Sequence, residues 1–274
     1  KSLANNWPVC AAAGVVFACG ALAFARRQAR LSDPLLTFDI FRSRIFSGGA
    51  LTAGGAMFCL AGLELLSTQK LQLVDALSPL NAGLIISAMA LSAIPTSILG
   101  GATLHHVGFL PLISGGFLFM AAGMALVVWT GGTMLPLLVC GLVLTGLGAG
   151  LAMSVSSTAI INAAPPHRAG MASGVEAVSY EFGTLISIAL TGSLVPLLMA
   201  RELPPHLSEL GTDALHHHSS HAAATSAYNA GNLFTIGGLS CFALLFAAIT
   251  AWCFRDNPKS GDPHAAHQQK DRSP

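Results

Sequence analysis

Seven runs of about twenty predominantly apolar residues follow one another with little between them, and nothing limits the fold of this chain more. A helix of that length matches the ~30 Å hydrocarbon core of a bilayer. Inside lipid a backbone must satisfy its own N–H and C=O groups, so each run is expected to be a spanning helix rather than an open strand. The runs cover residues 8–25, 45–66, 79–101, 108–129, 134–160, 170–198 and 229–254. Charged residues make up 9% of the 274 and hydrophobic ones 53%, whereas a soluble domain carries about a quarter charged. The reading is an all-α integral membrane protein with seven spans, its most direct partner the lipid bilayer.

Turn-forming residues separate the runs: "RRQARLSDP" at 26–34, "DALSP" at 75–79, "TGG" at 130–132 and "APPHRAG" at 164–170. If the first span runs from outside to inside, ten cations fall on the inner side (Arg26, Arg27, Arg30, Arg42, Arg44, Arg168, Arg255, Lys259, Lys270, Arg272) and three on the outer (Lys1, Lys70, Arg201). That asymmetry predicts a cytoplasmic C-terminus in a multi-pass protein of the plasma (inner) membrane. The polar tail 255–274 is expected to be disordered. A chain that begins outside, with neither an initiator Met nor a signal peptide, is expected to follow upstream spans.

Several function classes fall away. A net charge of +1 with scattered Lys and Arg gives no basic stripe for a nucleic acid. The six cysteines lie in apolar stretches without CxxC spacing, which argues against a disulfide frame or zinc knuckle. No metalloprotease HExxH, nucleophile elbow or phosphate-binding loop occurs, so an enzyme is not expected, nor a cofactor or resident metal. "DALHHHSSH" places His216, His217, His218 and His221 in a loop between the last two runs, without the fixed spacing of a metal site.

The informative residues are acids inside apolar runs. A charged carboxylate at the bilayer centre costs roughly 2.5–3.5 kcal/mol on insertion scales, so intramembrane acids mark function or a specific pairing. "GVEAVSYEFGT" holds Glu176 and Glu181, about 7.5 Å apart along a helix and roughly 140° around it. Tyr180 adjoins Glu181 and stands four residues from Glu176, where its ring can stack on a cation or its hydroxyl can reach an acid. Glu64, in "CLAGLELLSTQKLQ", is a third intramembrane acid, within reach of an interface. Gly146 and Gly150 in "GLVLTGLGAG" have the small-xxx-small spacing that brings helices close together.

Three segments, "ARRQARLSDPLLTFDIFRSRIF", "STQKLQLVDALSPLNAGLIISAMA" and "AAPPHRAGMASGVEAVSYEFGTLISIALTGSL", resemble in order and spacing the C-terminal half of fourteen-helix drug:proton antiporters of the major facilitator superfamily, of the QacA-like and SmvA-like type. The most specific element is V-E-x-x-x-Y-[DE]-x-G, here Val175, Glu176, Tyr180, Glu181 and Gly183. "GGATLHHVGF" departs from the family's charged loop by lacking Asp and Arg. The resemblance implies a linker transmembrane helix with its connecting loop at 1–44, a C-terminal six-helix bundle at 45–254 and a cytoplasmic tail at 255–274. It further implies proton-coupled export of lipophilic cations such as quaternary ammonium compounds, by alternating access with a separate N-terminal half. Glu181, Tyr180 and Glu64 would then contact substrate, and Glu176 and Glu181 would carry the proton. Two rivals stay open: an exporter of a lipid, siderophore or metabolite, and a non-transporting membrane scaffold or relic.

Overall fold

The computed structural model describes residues 7–28, 38–132, 134–203 and 221–254. His216, His217 and His218 and the tail 255–274 lie outside the described residues. The chain divides into two units, 1–42 and 43–274, each considered by itself. The first contains helix α1 (Trp7–Gln28), which covers the first apolar run, and a 3-10 turn at Phe38–Arg42.

The second unit holds α2 (Arg44–Leu73), α3 (Pro79–Val107), α4 (Phe109–Trp129), α5 (Leu135–Ala163), α6 (Ala169–Glu202) and α7 (His221–Phe254). These six are long and apolar enough to cross a membrane, and among the described residues there is no strand. Local chemistry sets their ends. The Ser43 hydroxyl accepts from the Phe46 N–H at the start of α2, and the Ser78 hydroxyl from Asn81 at the start of α3, where Pro79 supplies a first-turn residue needing no N–H partner. Gly108 (φ 88°) lets α3 pass into α4 in one residue, and Gly131 and Gly132 (φ 65° and 63°) make the α4–α5 turn in a conformation that favours glycine.

Hydropathy marks the lipid-depth part of a helix, not its ends. α2 continues seven residues beyond the apolar run and α7 begins eight before it. The overrunning segments, "STQKLQL" and "HAAATSAY", are built mainly of good or tolerant helix formers. Lys70 in the α2 extension is 6% exposed and pairs with Asp75 at 2.8 Å, its stem lying beneath Gly132.

Two helices organise the bundle. α5 packs on α2, α3 and α4; α2 packs on α5, α6 and α7; α4 also meets α7. Lipid tails are as apolar as leucine, so close fit holds such helices together more than apolar burial does. A Cβ on Gly146 would strike the Met89 carbonyl of α3, and one on Gly150 the Ala93 carbonyl. The Ser92 hydroxyl fixes the same seam by donating to Val143 O of α5 at 3.0 Å. Gly54 and Gly183 bring α2 and α6 into backbone contact. Leu63, Phe117, Met120, Met124 and Leu142 are fully buried between these seams, and Phe58 meets Phe242 edge-on at 5.3 Å. Where α2 begins and α7 ends, the Arg44 guanidinium lies 5.7 Å over the Trp252 ring.

Candidate functional site

Four residues of α2, Leu60, Glu64, Thr68 and Gln72, follow at four-residue steps and therefore share one helix face. Together with α3 and α5 that face encloses a cavity of about 440 Å³, within the size range of small-molecule sites. α3 contributes Ser87 and Met89, and α5 contributes Ala149 and Met153. The lining is mainly apolar with a few hydroxyl and amide groups, and Glu64 is its one charged residue. Glu64 is itself exposed, so its carboxylate can reach an occupant.

A second arrangement sits on α6. The Tyr180 hydroxyl donates to Glu176 Oε1 at 2.9 Å, one helical turn away. Ser156 of α5, fully buried, lies near the same hydroxyl and donates its own to Met153 O at 2.9 Å. Glu176 and Tyr180 are half-buried, beside the buried Val175. Their side of α6 thus turns toward the bundle and gives the Glu176 carboxylate a defined partner.

Glu181 points elsewhere. It is exposed and lies in an exposed, mostly apolar stretch with Val178, Phe182 and Leu185. The 140° that separates it from Glu176 takes it away from the side where Gly183 meets Gly54.

The structure consequently separates the three acids instead of gathering them. Taking the Gly54–Gly183 contact as a common level, Glu64 lies roughly 15 Å beyond it toward the C-terminal end of α2, and Glu176 roughly 10 Å beyond it toward the N-terminal end of α6, at 1.5 Å per residue. α2 and α6 run in the same direction, because Gly54 meets Gly183 and, further along both helices, Gly62 meets Ser187. Glu64 and Glu176 therefore stand toward opposite ends of the bundle, with Glu181 between them in height and outside the packed interior.

Thr68, Gln72, Ser87 and Met153 were not marked by sequence reasoning. The regular spacing of Glu64, Thr68 and Gln72 was a signal available in the sequence; the contributions of α3 and α5 were not, since they depend on which helices are neighbours. Among the described residues no group of His, Cys, Asp and Glu is placed to hold a metal ion.

Residues 66–273 match the family model described as Major Facilitator Superfamily. The chain is 28% identical over 201 residues to the multidrug resistance protein Stp of Mycobacterium tuberculosis, covering 73% of this chain and 37% of that protein. It is 31% identical over 173 residues to the methyl viologen resistance protein SmvA of Salmonella typhimurium, covering 63% of this chain and 35% of that protein. To the multidrug efflux pump LfrA of Mycolicibacterium smegmatis it is 30% identical over 191 residues, 67% of this chain and 37% of that protein. The chain thus spans little more than a third of the length of these curated relatives.

Proposed function

Since the chain belongs to the major facilitator superfamily and is a multi-pass membrane protein, we propose that it is the C-terminal six-helix part of a drug:proton antiporter that exports lipophilic cations, quaternary ammonium compounds among them. The observation that carries this reading is the cavity between α2, α3 and α5, where one carboxylate, Glu64, stands in an otherwise uncharged lining. An apolar wall with a single negative group favours an apolar cation over an anion or a neutral solute of the same size, because an occupant takes water away from the carboxylate and only a cation offsets that loss.

In this reading Glu64 holds the cation, and the Glu176–Tyr180 pair takes and releases the proton. Glu181 remains a candidate for substrate contact on the exposed side of α6, and Tyr180 one on the side turned toward the bundle. With the acids at different depths, proton and cation act through the rocking of two halves rather than by displacing each other at one carboxylate. The working unit then requires an N-terminal half, and residues 1–44 act as a linker helix and loop ahead of the bundle at 45–254. The cation asymmetry favours the plasma membrane with the C-terminal tail inside. The names of Stp, SmvA and LfrA agree with a drug cargo.

The test is export of a fluorescent lipophilic cation and of a neutral drug by cells making the full-length transporter. Glu64→Gln removes a charged contact of about 1.5–3 kcal/mol, so cation export falls roughly 10- to 100-fold while neutral-drug export changes little. Unchanged cation export in Glu64→Gln would overturn the reading, and unchanged export in Glu181→Gln as well would favour another cargo.

A further inference from the structure

We propose that the interface between α7 and α2 holds a column of ordered water molecules. On α7, Thr225, Asn229 and Asn232 follow at intervals of four and three residues and so share one face, over roughly 10 Å of helix. Thr225 Oγ1, Asn229 Oδ1 and Asn232 Oδ1 are all buried and have no hydrogen-bond partner in the protein among the described residues. Asn232 is 1% exposed, and its amide donates to Leu66 O of α2 at 3.5 Å. One turn away, the Tyr228 hydroxyl donates to Gln69 Oε1 at 3.4 Å. These two contacts place α7 residues 228–232 against α2 residues 66–69. On that turn of α2 the Ser67 hydroxyl, on a residue 1% exposed, also lacks a partner.

Buried oxygens without partners are costly. Following one another on one face of α7, beside the turn of α2 that carries Ser67, they are satisfied together by molecules that donate twice and accept twice. Water fits; a metal cation does not. The four groups are neutral, and the nearby ionic side chain, Lys70, is itself a cation already paired with Asp75. A buried cation without a counter-charge would bear a desolvation cost these oxygens do not offset. At hydrogen-bond spacing, the roughly 10 Å of helix from Thr225 to Asn232 corresponds to on the order of three waters.

Two measurements on the full-length transporter test the inference. In a high-resolution density map, discrete peaks at hydrogen-bonding distance from at least two of Thr225, Asn229, Asn232 and Ser67 are expected. A peak with metal-length contacts, acyl-chain density, or direct protein partners for these oxygens would overturn it. The melting midpoint in detergent supplies the second readout. Asn229→Leu and Asn232→Leu should each lower it by about 2 °C or more, since each leaves the shared waters and the remaining oxygens short of a partner. A rise in either variant would mean that the oxygens are merely orphaned, and would sink the proposal.

Discussion

At the residue scale the Tyr180–Glu176 pair is the most specific local arrangement on α6. Tyr180→Phe removes one hydrogen bond, and such bonds inside membrane bundles average about 0.6 kcal/mol. The melting midpoint is therefore expected to move little. If the pair handles the proton, the pH dependence of cation export changes in Tyr180→Phe and persists in Glu64→Gln. A changed midpoint with an unaltered pH profile would make Tyr180 a packing residue only. The pairing itself was legible in the sequence, because residues four apart on a helix meet. Which of Glu176 and Glu181 turns inward was not: the angle between them fixes their divergence, and only the Gly54–Gly183 contact says which direction is the bundle's interior.

At the scale of elements, the six helices of the second unit follow the apolar runs closely in their interiors and depart at their ends. The reason is physical: hydropathy reports where lipid begins, while helix continuation depends on backbone propensity and caps. The small-residue spacing of Gly146 and Gly150 pointed to a close seam without naming the partner, which the structure gives as α3 at Met89 and Ala93. Gly146→Val is expected to push α3 off α5 and lower the melting midpoint of the full-length protein or abolish its accumulation in membranes, as overpacking typically costs about 1–3 kcal/mol. Gly192→Ala is the matching control: nothing lies within 4 Å of the added carbon, and the exchange favours the helix by up to about 1 kcal/mol. Equal damage from both substitutions would remove the seam as the cause.

For the whole molecule, the expected partner half governs what is measured. An antibody to the tail from Asp256 to Pro274 is expected to detect a membrane product well above 28.1 kDa. A product of that size alone would turn the search to a separately made partner. Reporter fusions at the tail are expected to be active on the cytoplasmic side, and activity on the opposite face would reverse the orientation read from the cations. The architecture was largely legible from run length and composition, whereas the cavity also depends on α5, which is adjacent in the chain to neither α2 nor α3. If the proposed export of drugs holds, the geometry of α2 carries over to adaptation under drug pressure. One helix serves the cavity on one side and its neighbours on the others, so selection for a new cargo should draw changes in a beat of four, at Leu60, Glu64, Thr68 and Gln72. Gly62, Leu63 and Leu66, buried between them, should stay silent.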